Sequence, residues 1–396
     1  MCYIPATLFF RLHSWEIFIG FMADSNPDKN YPWLCLYLVE GLGNVAAKNL
    51  LEAYGSPEAI FSASKEEMET IEAVTPQISS NIERKRFALD PEKELKKIEA
   101  AGARIISCID PEYPASLKEI YDPPMLLFAK GSSIPSFETF VAVVGSRNPT
   151  PYGIKMAQKI GKELAQRGIH VVSGLARGID GAAQWGCIQG GGYTIGVLGT
   201  GVDVIYPASN KKLFQEVIEK GCVVSEFPLG TRPEPRNFPI RNRIISGISS
   251  GVVVVEAARK SGSLITASQA LDQGREVFAV PGSALSVRSS GAHYLIKQGA
   301  KLVESAEDIL EELGPMGRPG LQRGEGPGKS EKEEAIVEQL GKNARAIYEI
   351  LSHYPIHLDE LVRQTGLQPG AVSGLLVEME LLGLVKQLTG KMFVRI

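Results

Sequence analysis

The sequence predicts an α/β chain: a doubly wound, mostly parallel sheet with a helical module before it and a small helix–hairpin domain after it. Three observations carry that expectation. Short β-branched runs alternate with helical stretches from about Phe140 to Leu313, the pattern of βαβ units. Segments rich in glycine and arginine follow several of those runs, where loops at the carboxyl ends of parallel strands converge on one crevice. Beyond a Gly/Pro/Arg-rich stretch, the tail carries three helical patterns and two short strands.

Composition bounds the function. At 396 residues the chain exceeds one typical domain. A net charge of −3 carries no global basic signature, so any nucleic-acid binding must rest on local clusters. The five cysteines (Cys2, Cys35, Cys108, Cys187, Cys222) form no C-x-x-C pair. They fit a reducing cytoplasm and read as small buried hydrophobes rather than a disulfide framework or zinc site. Residues 1–21 are apolar and aromatic, but Arg11, His13 and Glu16 interrupt the run, and neither a signal peptide nor a membrane span fits. An extension ahead of a start at Met22 is the expectation, with 1–30 set apart from the fold.

Residues 31–100 read as a helix-hairpin-helix, SAM-like module. Gly41 and Gly43 make the tight turn, and Val45, Leu50 and Leu51 pack its second helix. Such a hairpin can offer N–H groups to a phosphate. The neighbouring Glu58, Glu66, Glu67, Glu69 and Glu72 make a packing module the plainer reading. A second hairpin around 74–78 lacks the glycines.

The sheet domain is expected over 101–313. A strand begins at Ala103–Ile106, and 113–128 reads as a turn-rich bridge. Further strands are expected at Val141–Val144, His170–Val172, Ile195–Leu198, Val223–Ser225, Val252–Val255, Val277–Val280 and Lys301–Val303. A linker follows over 314–335. Over 336–396, helices at Ala344–Leu351, Leu358–Thr365 and Pro369–Leu382 precede a hairpin across Thr389-Gly390, the winged variant of helix-turn-helix. Its recognition helix offers Ser373, Glu378 and Glu380 and no cation. From Leu340 on there are six Lys/Arg against five Asp/Glu. That balance suits protein contact or dimerisation better than DNA reading.

The chemistry lies at the strand ends. Gly145-Ser146-Arg147 offers close backbone approach, a hydroxyl with its N–H, and a guanidinium fork. Ser173-Gly174 through Arg177 to Asp180 repeats the arrangement one strand on, with Asp180 placed to cap the next helix. Phe238-Pro-Ile-Arg241-Asn242-Arg243 reads as a proline-led helix with its cations in the first turn, against the macrodipole unless an anion binds. Pairing with Glu226 or Glu256 accounts more readily for one of those arginines than for both. Phe238 and Tyr152 are candidate base platforms. Gly262, Ser263, Thr266 and the turn Pro281-Gly-Ser283 add donors. No nucleophile–base pair accompanies them, so the set points to holding a polyanion rather than to catalysis, with no cofactor and no metal.

The ordered set G-S-R, S-G-L-A-R-G-I-D, F-P-x-R-N-R-I-I-S-G and P-G-S closely resembles the DprA (Smf) family of DNA-processing proteins. The resemblance is dense over the central domain and looser over both flanking modules. It implies a Rossmann-like domain that binds single-stranded DNA, forms a homodimer, and loads the RecA recombinase while countering single-strand-binding protein during transformation. Carried over by position, Gly145, Ser146, Arg147, Arg177, Phe238, Arg241 and Arg243 are the expected strand contacts. The dimer seam maps to His293, Ile296 and Leu302. The competing reading is a nucleotide hydrolase resembling the LOG-type phosphoribohydrolases, with Glu256 and Arg243 as acid and cation. Against it, the phosphate loop is only Pro-Gly-Ser, and no Walker lysine or G-x-G-x-x-G motif is present. A transcription factor built on the winged helix is a third reading, disfavoured by the neutral recognition helix.

Overall fold

A computed structural model describes residues 29–136, 138–314, 341–351, 356–382, 384–388 and 390–395. The expected extension at 1–21 and most of the expected linker lie outside the described residues. The chain divides into two compact units, 1–320 and 321–396.

The first unit is built on a nine-stranded sheet in the order β1-β2-β6-β5-β4-β3-β7-β8-β9. Its strands are β1 (Arg104–Ser107), β2 (Leu126–Gly131), β3 (Phe140–Val144), β4 (His170–Ser173), β5 (Thr194–Val197), β6 (Cys222–Ser225), β7 (Gly251–Val254), β8 (Glu276–Ala279) and β9 (Lys301–Leu302). From β6 to β9 all neighbours pair in parallel, while β1–β2 and β2–β6 are antiparallel. The order runs outward from β3 in both directions, so the topological switch point lies between β3 and β7.

Alternation along the strands explains the two-faced burial. Val141 and Val143 of β3 pack with Ile160, Leu164 and Ala183 of the helices Pro151–Gln166 and Ile179–Gln189. Ala142 and Val144 point into the opposite core with Ile244, Ile248 and Ala267. With both faces covered, the strands read as nearly continuous apolar runs.

The seven expected strands of the parallel set all form, within one residue at each end. Residues 126–131 differ from expectation. They make β2, not part of a loop bridge, because Leu126–Ala129 is a fully buried apolar run that closes the sheet edge against β6. A run this short beside Pro123 and Pro124 gives no periodic signal.

In the first module, Tyr31–Tyr37 and Asn44–Tyr54 form the glycine-turned hairpin, with Gly41 at φ +83°. Ala46, Ala47 and Leu50 are the buried positions, whereas Val45 is only half-buried. This module shares one hydrophobic cluster with the sheet: Leu34, Leu36 and Leu50 sit with Phe128, Leu198 and Val223. Cys35, Cys187 and Cys222 are buried free thiols, and burial pushes the last two up to about 12.

The second unit is a winged helix. The helices Lys342–Ile350, Leu358–Thr365 and Pro369–Leu381 pack through Ala344, Ile347, Leu361, Val372, Leu376 and Met379. The hairpin β11 (Val385–Leu388) and β12 (Met392–Arg395) follows, and a short strand β10 (Ile356–His357) pairs with β12. Gly366 (φ +68°) makes the turn between the second and third helices.

The helices Pro151–Gln166 and Ile179–Gln189 touch backbone to backbone. A Cβ on Gly161 would strike the Ala183 carbonyl, and one on Gly186 the Gln158 carbonyl. Gly186→Ala should therefore destabilise the first unit by about 2 kcal/mol through overpacking. The check is a lower denaturant midpoint at unchanged m value.

Candidate functional site

The site is assembled by one crossover. From β6 the chain passes β5, β4 and β3 before adding β7 beside β3. The helix Asn237–Ile248 makes that passage and touches all three strands. Its first residue, Asn237, is buried and donates Nδ2–H to the Gly199 carbonyl at 3.1 Å. One turn on, Arg241 is also buried and donates from Nη1 to the carbonyls of Gly174, at 2.9 Å, and Val197. This guanidinium therefore joins the loops after β4 and β5. Asp180 lies nearby, buried, with its carboxylate accepting from the Gly174 N–H at 3.2 Å. Burial lowers the Arg241 pKa to about 10 against the attraction of Asp180, so the group is cationic at neutral pH. Burial raises Asp180 despite Arg241.

Above this scaffold opens a cleft of about 260 Å³, lined by the ends of β3, β4 and β5 and by the crossover helix. Arg147 and Arg177 stand exposed at it. Among the described residues neither has a carboxylate partner, and the Arg147 guanidinium rests 5.2 Å from the Phe238 ring centre. Phe238 is half-buried and lies against Tyr206, with ring centres 5.6 Å apart and planes tilted 36°. Gly199, Thr200 and Ser209 also line the cleft, the Thr200 hydroxyl donating to the Val204 carbonyl at 3.1 Å. Two cations free of carboxylates beside an aromatic pair can hold phosphates while a base stacks.

Several expected contacts have other duties. The crossover helix begins at Asn237, so Arg241, Asn242 and Arg243 occupy its second turn and the macrodipole conflict does not arise. Arg241 and Arg243 are two residues apart and so leave the helix on opposite sides. Arg243 is buried away from the cleft, donating to Asp122 at 2.8 Å and Glu226 at 2.6 Å. Asn242 accepts from Arg241 Nε at 3.2 Å. The same Glu226 accepts from Asn44, and its backbone carbonyl from Tyr37, both in the first module.

The glycines are explained by packing. A Cβ on Gly145 would lie 2.8 Å from Ile179, and one on Gly174 only 2.6 Å from the Arg241 guanidinium. Close approach is required here, but by the protein itself. The Ser146 N–H is taken by the Glu256 carbonyl at 2.6 Å, and the Ser173 hydroxyl by the Val143 carbonyl at 2.6 Å. Asp180 is the second residue of its helix, whose cap is Gly178. It therefore ties strand-end loops together instead of capping.

Gly262, Ser263 and Thr266 lie outside this cleft. Gly262 caps the helix Ser263–Asp272, where Ser263 and Thr266 are buried. Tyr152 is apart from Phe238: it donates to the Pro281 carbonyl at 2.9 Å across a second, shallower depression that includes Glu256. Both Glu256 oxygens hold Thr150, at 2.8 Å to its N–H and 2.5 Å to its hydroxyl. With Arg243 paired elsewhere, the acid–cation pair of the hydrolase reading does not form. Of the expected seam, His293 contacts the Gly282 backbone at 3.1 Å, Ile296 is half-buried, and Leu302 is exposed on the edge strand β9.

Sequence reasoning missed Asn237, Tyr206 and Thr200. Gly199-Thr200-Gly201 reads as a plain turn, yet it follows β5 and so falls at the same sheet edge as the loops after β3 and β4. A Cβ on Gly199 would lie 3.0 Å from the Phe238 ring.

Fold and cleft together define a Rossmann-like domain with an arginine-lined cleft at its strand ends, followed by a winged helix. Residues 104–314 match the family model of DNA recombination-mediator protein A, and residues 327–391 match the DprA winged helix domain. The chain belongs to the DNA recombination-mediator protein A (DprA/Smf) family. Protein Smf of Synechocystis is 34% identical over 403 residues, covering 94% of this chain and 100% of that protein. DNA processing protein DprA of Bacillus subtilis is 49% identical over 213 residues, 54% of this chain and 72% of that protein. The X-ray structure of DprA from Streptococcus pneumoniae superposes with a TM-score of 0.64 at 40% identity, covering 72% of this chain and 98% of that one.

The two classes of arginine should separate in stability measurements. Arg241→Leu and Arg243→Leu each strand buried partners and should cost about 3–5 kcal/mol. Arg147→Ala and Arg177→Ala should stay within about 0.5 kcal/mol of the parent. Chemical denaturation of the four variants checks this.

Proposed function

We propose that this recombination mediator binds single-stranded DNA without sequence preference in the cleft between the ends of β3, β4 and β5. The observation that carries the reading is the exposed pair Arg147 and Arg177 flanking the Phe238–Tyr206 stack. The arginines take backbone phosphates, and the rings take a base by its face, which every base offers. Phe238, Arg147 and Arg177 are the direct contacts. Arg241 and Asn237 act behind them by fixing the loops. No catalytic step is assigned to the site: the cleft lining pairs no nucleophile with a base.

On the same reading, a homodimer engages the strand and loads RecA onto it in place of single-strand-binding protein, inside the cytoplasm. The family membership and the cleft support this role.

The experiment is a salt titration of affinity for a single-stranded oligonucleotide, its duplex and AMP. The expected result is tight, salt-steep binding of the single strand, weaker duplex binding and no AMP binding. Tight, salt-insensitive AMP binding would favour the hydrolase. Arg147→Ala or Arg177→Ala should each lower the slope of log affinity against log salt by about 0.7. Phe238→Ala should weaken all oligonucleotides alike by about 1–3 kcal/mol. Unchanged affinity in all three variants would exclude this cleft.

A further inference from the structure

Of the two rings in the cleft, Phe238 is carried by the crossover helix and Tyr206 by the loop 199–207 after β5. A helix fixes its side chains, whereas an exposed loop needs anchors of its own. The base of this loop is held by Asn237 on the Gly199 carbonyl and by the Ser225 hydroxyl on the Thr200 carbonyl, at 2.6 Å. Its outer part is held by Asp203. Both carboxylate oxygens accept from the Gly230 N–H, at 2.8 and 3.0 Å, and beside them the Gly201 N–H donates to the Thr231 carbonyl at 3.1 Å. Gly230 and Thr231 belong to the segment 226–236 that leads into the crossover helix. Among the described residues, no other side chain of the loop hydrogen-bonds to that lead-in.

Local geometry makes room for this contact. The Thr231 N–H closes a turn on the Pro228 carbonyl at 3.2 Å, with Gly230 in the third position at φ +79°. The N–H of that position has no partner within the turn, and Asp203 supplies one. A Cβ on Gly201 would lie 2.5 Å from Asp203 Oδ1, so the approach also requires the missing side chain there. Charge sharpens the point. Asp203 is exposed, pairs with no lysine or arginine among the described residues, and stands three residues from both Thr200 and Tyr206 of the cleft. A carboxylate at the margin of a site for phosphates repels its ligand. An ionised carboxylate is also a strong acceptor for a backbone N–H. Asp203 thus works against the cleft electrostatically and is explained by what it holds.

We propose that Asp203 is a positioning residue for base stacking: by bonding the Tyr206 loop to the Phe238 lead-in, it holds the two rings together with centres 5.6 Å apart. It acts through Tyr206 and touches no part of the strand. The inference rests on the cleft being the DNA site.

The test is the affinity of full-chain variants for a single-stranded oligonucleotide carrying one 2-aminopurine base, whose fluorescence falls when it stacks. Asp203→Ala should weaken binding about fivefold, with less quenching at saturation and an unchanged slope against salt. Loss of a mere surface carboxylate would do the reverse and tighten binding. Asp203→Asn removes the same charge but keeps an oxygen for the Gly230 N–H, so it should bind at least as tightly as the parent. The difference between these two variants isolates the bond from the charge. In a Tyr206→Ala background, Asp203→Ala should weaken nothing further. The proposal is overturned if Asp203→Ala binds as tightly as the parent, if Asp203→Asn binds as weakly as Asp203→Ala, or if the loss is equal in the Tyr206→Ala background. Parent-like binding by Tyr206→Ala and Phe238→Ala alike would overturn the cleft reading and this inference together. A loss in those two with none in Asp203→Ala overturns this inference alone.

Discussion

The structure of the cleft depends on one buried cation. Arg241 reaches from the crossover helix to the carbonyls of Gly174 and Val197, the points where β4 and β5 end. Those loops carry Arg177 and Thr200, and the same helix carries Phe238 one turn earlier. Without a donor at this position, two strand-end carbonyls and Asp180 would share a buried site with no cation, at a cost of several kcal/mol. Arg241 donates to both carbonyls from Nη1 and offsets Asp180 by its charge. The glycine at 174 follows from the same contact, since its missing Cβ is the space the guanidinium occupies.

The arginines thus divide into two classes. Arg241 and Arg243 face inward and bind the crossover helix to its surroundings, one to the sheet and one to Asp122 and Glu226. Through Glu226 the second anchor also reaches Asn44 and Tyr37, so the first helical module is fastened to the sheet near the cleft's scaffold. Arg147 and Arg177 face outward with no carboxylate partner among the described residues, Arg147 resting on the Phe238 ring. Net charge conceals this arrangement: a chain of charge −3 can still present two exposed arginines together at one sheet edge.

Much of the fold is legible from residue pattern, because buried parallel strands such as Val141–Val144 and Val252–Val255 are β-branched runs bounded by glycine. β2 is not legible, since its place depends on pairing with β6, nearly a hundred residues later. The site is legible in outline: the motif segments do fall at one sheet edge, because parallel strands must end together. Which side chains point into the cleft is not, because it depends on where the crossover helix begins. Starting at Asn237 instead of near Arg241 puts both arginines in the second turn, and their two-residue spacing sends them to opposite sides. Likewise Gly145 and Ser146 carry the right chemistry for a ligand, yet Ile179 and the Glu256 carbonyl already occupy it.

Hydrogen–deuterium exchange of the full chain, with and without a single-stranded oligonucleotide, tests the central claim most directly. If the edge held by Arg241 is the binding surface, protection on adding DNA will concentrate in residues 145–148, 174–178, 198–207 and 237–241. Protection confined to the winged helix, or to the hairpin at Gly41–Asn44, with those four segments unchanged, would contradict it.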